Sequence, residues 1–163
     1  MIIKNFDLKK NLNKNVNLFL LYGPNNGLIE ETIDKILKPN FSKNIYNYDE
    51  NEILTNPDNF NDTIVNKSFF EDEKLIIISR ATDKILDKIE KILNKKIKDL
   101  KIIIKANILE KKSKLRNFFE KNTQTIIVPN YEDNNQTLLY LAQNFLKQKK
   151  IKISSQSINF IIE

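Results

Sequence analysis

The residues of this chain with the clearest chemical spacing are Gly23-Pro24-Asn25-Asn26-Gly27. They follow an apolar run, Leu18 to Tyr22 (LFLLY), that reads as a buried strand. They precede Leu28-Ile29-Glu30-Glu31, which starts a helical pattern. Strand, glycine turn and helix make the layout of a phosphate loop, G-x-x-x-x-G-K-[ST], whose lysine reaches the phosphates and whose hydroxyl holds magnesium. Here Leu28 and Ile29 stand where the lysine and the hydroxyl are needed. An ordinary strand-to-helix turn needing positive φ at Gly23 and Gly27 would have the same backbone. The third strand of a P-loop ATPase ends in acids that organise magnesium and water. The corresponding run here is Ile76-Ile77-Ile78-Ser79-Arg80-Ala81, and the next acid, Asp83, reads as a helix cap. With both parts missing, the loop is a degenerate one. No catalytic residue, nucleotide, metal or other cofactor is assigned.

Composition narrows the choice further. The 163 residues, 40% of them hydrophobic, suffice for one domain with a real core, or for one plus part of another. There is no cysteine and no histidine. That removes disulfides, thiol nucleophiles, the commonest general base and the commonest metal ligand. The start, MIIKNFDLKK, lacks the apolar core of a signal peptide. No apolar run approaches the roughly 18 residues of a membrane span. The expectation is a cytoplasmic soluble protein with no membrane contact. The net charge of +6 favours nucleic acid or an acidic partner. The abundance of Lys, Asn and Ile, with Arg80 and Arg116 the only arginines, equally fits the codon bias of an AT-rich genome.

The elements that must position these residues alternate along the chain. After the strand 18–22, strands are expected at Ile45–Tyr48, Lys74–Ser79, Lys101–Ile104 and Thr125–Val128, the last stopped by Pro129. Helices are expected from Asp58 to about Lys67, with Phe60, Ile64 and Val65 on one face, from Asp83 to Ile97, and from Lys111 to Asn122. The stripe of the second is Ile85, Leu86, Ile89, Ile92 and Leu93. That of the third is Leu115, Phe118 and Phe119. Short apolar strands between helices suit a parallel sheet covered on both faces. Beyond Pro129 only helices are expected. One is capped by Asp133 or Asn134 and runs to Lys150, with Leu138, Leu141, Ala142 and Phe145 inward. The other is capped by Ser154 or Ser155 and contains Ile158, Ile161 and Ile162. No repeat is present. Because the apolar pattern has no stop signal at Glu163, the sequence reads as truncated.

A second informative stretch is Asn66-Lys67-Ser68-Phe69-Phe70-Glu71-Asp72-Glu73-Lys74. Adjacent residues cannot both face the core in regular structure, so one of the two rings belongs at a rim. Exposed aromatics beside charges are typical interaction anchors. The plainer role is that one ring simply closes the core.

Taken together, LFLLYGPNNGLIEE, SFFEDEKLIIIS, KIIIKANILEKKSKLRNFFEK and the helical segment after a proline resemble the delta subunit of bacterial DNA polymerase III. The resemblance runs along essentially the whole chain. The aromatic pair before an apolar strand and the K-x-S-K-L helix start are its most specific pieces. It implies an α/β fold with an AAA+-like, P-loop-type, five-stranded parallel sheet flanked by helices. Residues 1–130 would be that clamp-contacting domain, with a degenerate P-loop. Residues 131–163 would be the start of a small helical lid, with the family's collar domain absent. It implies a non-catalytic clamp-loader subunit of the DNA-directed DNA polymerase (nucleotidyltransferase) holoenzyme, which binds and opens the sliding clamp for loading onto primed DNA. Phe69 and Phe70, with Ser68 just before them, match the apolar pair that enters a clamp pocket, although the family more often shows Leu before Phe. The implied partners are the clamp, the other loader subunits through the missing collar, and DNA within the assembly. Without a collar the chain would not join the pentamer. Two other readings stay open. One is a P-loop-type kinase or transferase using Lys35 or Lys38 for phosphate. The other is a basic DNA-binding module using the lysines of helices 83–97 and 111–122.

Overall fold

The computed structural model describes residues 1–12, 16–40, 44–65, 74–95, 97 and 100–162. They form two compact units, Met1–Asn130 and Tyr131–Glu163. In the first unit a short helix α1 (Leu8–Asn11) leads to β1 (Leu18–Tyr22). Helix α2 (Asn26–Thr32) continues through a wider turn, Ile33–Leu37. There follow β2 (Asn44–Asp49), α3 (Glu50–Thr55), α4 (Pro57–Val65) and β3 (Lys74–Ser79). Then come α5 (Leu86–Asn94), β4 (Leu100–Ala106), α6 (Lys114–Lys121) and β5 (Thr125–Pro129). Among the described residues the strands make one five-stranded sheet in the order β2-β3-β4-β1-β5, every pair parallel.

The sheet is buried on both faces because successive side chains of a strand point to opposite sides. The pairing register aligns Ile78, Ile104, Leu20 and Ile127 in one row across it, and Ile77, Ile103, Phe19 and Ile126 in the next. The first row belongs to a core completed by Ile53 of α3, Phe60 and Ile64 of α4, Ile89 and Ile92 of α5, and Leu115 and Phe119 of α6. The second belongs to a core completed by Ile29, Ile33, Leu37, Leu8, Ile3 and Val16. A slip of one residue would exchange the two sets, so packing on both faces pins the register. At the β5 edge, the Ile3 N–H donates to the Ile127 carbonyl and the Ile127 N–H to the Met1 carbonyl.

Several expectations needed adjustment. The helix expected from Asp58 to about Lys67 starts at Pro57 and is described as far as Val65, which is 57% exposed rather than on the buried face; residues 66 and 67 lie outside the described residues. The helix expected over 83–97 is a 3-10 turn, Asp83–Ile85, followed by α5. Of its stripe, Leu86 and Leu93 are only partly buried. Helix α3 was not anticipated, since it contributes only Ile53 to the apolar core. Its start is a capping box, with the Asp49 N–H bonded to Glu52 at 2.7 Å and the Asp49 carboxylate accepting from the Asn51 N–H.

The second unit holds α7 (Asn135–Gln148) and α8 (Ser155–Ile162), which pack on each other. Asn134 caps α7, and the Ser154 hydroxyl accepts from the Ser157 N–H at the start of α8. The inner face expected for α7 is only partly covered. Leu138 and Ala142 are half-buried, whereas Leu141 and Phe145 are exposed. In α8, Ile158 is buried and Ile161 exposed. Two short helices touch along one line, so only residues on that line lose their water.

Asp83 is a cap, but of a different helix from the one that follows it. Thr82 accepts from the Lys84 N–H and caps the local turn. The Asp83 carboxylate reaches the start of α6, where it accepts from the Ser113 hydroxyl at 2.6 Å and from the N–H groups of Leu115 and Lys114 at 3.0 Å each. Partial burial pushes this carboxyl upward. The bonds from Ser113, Leu115 and Lys114, with the charge of Lys114, outweigh that and hold it below the usual aspartate value. A depressed carboxylate contributes stability above its unfolded value of about 3.9 and loses it as pH falls through the folded value. Asp83→Asn, which keeps an acceptor but removes the charge, should therefore cost about 0.3–1 kcal/mol at pH 7, the typical worth of a negative charge at a helix N-terminus. In urea titrations that difference should shrink toward zero on acidification below about pH 4, through the depressed folded value. An undiminished difference in acid would show that the carboxylate charge is not what matters.

Candidate functional site

The degenerate loop leaves β1 at Gly23 and enters α2 at Asn26. Gly23 has φ of 133°, and a Cβ on it would lie 2.1 Å from the Asn130 carbonyl oxygen. Only glycine fits that approach. Gly27 is different: its φ is not in the left-handed region, and a Cβ there would meet nothing nearer than the Asn25 Oδ1 at 3.7 Å. The expectation of positive φ at both glycines therefore holds for Gly23 alone, because Gly27 already lies inside the first turn of α2.

The N–H groups that a phosphate would use are largely taken by the protein. The Asn25 N–H donates to the Asn130 carbonyl, the Asn26 N–H to Pro24, and the Ile29 N–H to Asn25. The Leu28 N–H donates to the Asn25 side chain at 3.0 Å. Asn25 thus caps α2 with its own amide oxygen, the role a phosphate oxygen has in a working loop. Ile29, at the place of the hydroxyl, is a core residue only 2% exposed.

Asn130 is the residue that sequence reasoning missed. It is 1% exposed, its N–H donates to Tyr22, its Nδ2 donates to Val128, and its Oδ1 accepts from Asn5. Asn5 also donates to Thr32, whose hydroxyl donates to Leu28. An asparagine after a proline carries no special signal in a chain this rich in asparagine.

Beside the loop, Asn26, Ile29, Glu30, Ser79, Arg80, Lys105, Ala106 and Asn107 line a cleft of about 280 Å³ at the carboxyl ends of β3 and β4. In an open α/β sheet this edge is where ligands bind. Its cations already have partners: Lys105 lies 2.6 Å from Glu30, and Arg80 pairs with Asp49 at 2.5 Å. The Asn51 N–H holds the Asp49 carboxyl below its usual value despite some desolvation, and Arg80 adds to this. Lys35 and Lys38, the phosphate ligands of the kinase alternative, pair with Glu31 at 2.5 Å and Asp34 at 2.6 Å on the surface of the same helical segment. Among the described residues no cluster of three or more acidic side chains could hold a metal ion. Nor is any described helix long and apolar enough to cross a membrane.

Ser68, Phe69 and Phe70 lie outside the described residues. The elements on either side of them are well tied together. Tyr48 packs edge-on against Phe60 with centroids 5.2 Å apart, and its hydroxyl shares a hydrogen bond with Thr63 at 2.7 Å. Lys74, the first residue of β3, donates to the Thr63 carbonyl at 2.9 Å. Lys74, the described residue that follows the stretch 66–73, stands at the amino edge of the sheet as the first residue of β3. The degenerate loop follows the carboxyl end of β1, so it lies at the opposite edge of the sheet from Lys74.

The family model for the DNA polymerase III delta subunit matches residues 19–130, which include both the loop and the aromatic pair. The chain belongs to that family. In structure, this delta-family chain is similar to the Bacillus subtilis DNA clamp loader delta protein YqeN, with a TM-score of 0.62 and 18% identity, covering 97% of this chain and 51% of that one. It thus spans about half the length of that relative. It is also similar to domain III of the Thermotoga maritima replication initiation protein DnaA, with a TM-score of 0.57 and 12% identity over 98% of this chain and 72% of that one. A replication initiator DnaA bound to AMPPCP and single-stranded DNA gives a TM-score of 0.60 and 15% identity over 97% and 53%. These likenesses establish an AAA+-like fold. No curated protein sequence matches the chain.

The two glycines of the loop should respond in opposite directions. Gly23→Ala should destabilise by about 2 kcal/mol or more, through forbidden φ and the clash with Asn130. Gly27→Ala should stabilise by roughly 0.5–1 kcal/mol, because alanine loses less entropy in a helix. Chemical denaturation of the two variants measures both. Equal effects would refute the close approach of residues 23 and 130.

Proposed function

We propose that this chain acts as a delta subunit of the bacterial clamp loader, binding the sliding clamp and favouring its open form without turning over ATP. The observation that carries this reading is the family match across 19–130, which takes in an occupied, lysine-free phosphate loop and the pair Phe69-Phe70 in one stretch. Phe69 and Phe70 would enter an apolar pocket on the clamp, with Ser68 beside them. Glu71, Asp72 and Glu73 would act at the rim, affecting on-rate more than affinity. Binding opens the ring only to the extent that the open form is bound more tightly. Residues 131–163 would begin the helical lid that follows the clamp-contacting domain. In the full assembly, partner subunits would bind ATP and the collar would join them.

Replacing both phenylalanines by alanine should weaken binding to the sliding clamp of the same organism by on the order of 100-fold, at about 1.4 kcal/mol per decade. The melting temperature should stay close to that of the parent. A core Phe→Ala change would instead cost roughly 3–5 kcal/mol of stability, so a much earlier melt would place at least one ring in the core. Normal melting with undiminished clamp binding would dismiss the site. Separately, calorimetric titration with Mg-ATP should give no saturable heat, and a micromolar dissociation constant would favour the kinase alternative.

A further inference from the structure

Residues 134–162 contain four lysines, Lys147, Lys149, Lys150 and Lys152, and no acidic residue. All four are exposed, and none forms an ion pair among the described residues. Lysines elsewhere share their segments with acids: Asp83, Asp87 and Glu90 lie among Lys84, Lys88, Lys91 and Lys95, and Lys35, Lys38, Lys105 and Lys112 each have a carboxylate within 2.9 Å. A uniform coding bias toward lysine would not separate cations from acids in this way.

The backbone at this place is a fixed turn. The Ile151 N–H donates to the Leu146 carbonyl and the Lys150 N–H to the Lys147 carbonyl, the paired bonds that end a helix with a left-handed residue. That residue is Lys150, with φ of 57°. Glycine is the usual occupant, and a side chain there costs stability. Lys149 leans over the ring of Phe145, 6.0 Å from its centroid, and that ring is itself 57% exposed. The nearest acids along α7, Glu132 and Asp133, precede its other end, about 21 Å away for a helix of this length. The negative end of the α7 dipole accounts for a cation or two in the last turn. It does not account for Lys152, beyond the turn, or for lysine at the glycine position.

We propose that the turn Lys147–Lys152 between α7 and α8 is a contact surface for the phosphate backbone of DNA. Four uncompensated point charges around one bend match a ligand whose charges recur every ~1.7 Å and need no matching donors. The proposal does not rest on the clamp-binding reading, and clamp affinity measured on the same variants separates the two.

The test uses the 163-residue chain and a fluorescein-labelled DNA duplex of mixed sequence, with anisotropy followed from 50 to 200 mM salt. Substituting Lys147, Lys149, Lys150 and Lys152 together by Gln should weaken binding at least tenfold at the lowest salt. It should also flatten the log–log salt slope by about 3, near the limit of ~0.9 for each phosphate that is no longer neutralised. A control of equal charge, with Gln at Lys84, Lys88, Lys91 and Lys95, should change affinity less than twofold. Lys150→Gly alone should raise the melting temperature while weakening DNA binding and flattening the slope by about 0.9. The proposal is overturned if the parent chain does not bind the duplex, if both quadruple variants lose the same affinity, or if Lys150→Gly stabilises with DNA binding intact. It is overturned equally if the turn variant keeps DNA and loses the clamp, which would make the surface one for an acidic protein.

Discussion

At the carboxyl edge of the sheet, the Asn130 carbonyl occupies the space that any side chain on residue 23 would need. Much of that edge follows from this approach. The loop after β1 and the segment after β5 come close enough for the Asn25 N–H to reach Asn130, which sets the turn into α2. Asn130 has all its polar atoms bonded at 1% exposure, as a buried amide must. It thereby joins β1, β5, the loop and the segment at Asn5. Where a working phosphate loop leaves its N–H groups free for a ligand, this one spends most of them on carbonyls and on Asn25. The Asn25 side chain of the loop itself caps the helix that follows.

The sheet separates two places with different demands. Its carboxyl edge carries paired charges, Lys105 with Glu30 and Arg80 with Asp49, around the small cleft. Its amino edge carries the stems of the aromatic stretch, joined by Lys74 and Thr63 and braced by Tyr48 on Phe60.

Long-range polar contacts complete the packing of the first unit. Glu50 is 4% exposed at the start of α3, and its carboxylate takes both the N–H and the hydroxyl of Thr82. Asp83 next to it caps α6 from a distance. The loop after β3 is therefore tied on one side to α3 and on the other to α6. The K-x-S-K-L pattern gains a structural meaning, since Ser113 is bonded both to Asp83 and to the Arg116 N–H.

What the sequence determined by itself was the strand set and its two-faced burial. LFLLY is apolar throughout, and KLIIIS and the run 100–106 each hold an unbroken apolar core, which suits strands of a parallel sheet covered on both faces. It also determined that the loop lacks the lysine and hydroxyl of phosphate chemistry, which is a matter of residue type. It did not reveal α3, whose one core residue makes no periodic signal, or the exposure of Val65, Leu141 and Phe145, which depends on where neighbouring helices lie. Only the tertiary structure decided that Gly23 and not Gly27 is indispensable, that Asp83 caps α6, and that Asn130 is the hub. Each of these rests on a contact between residues tens of positions apart. Spacing along the chain reports what one segment needs, whereas such contacts exist only once the strands have paired in register.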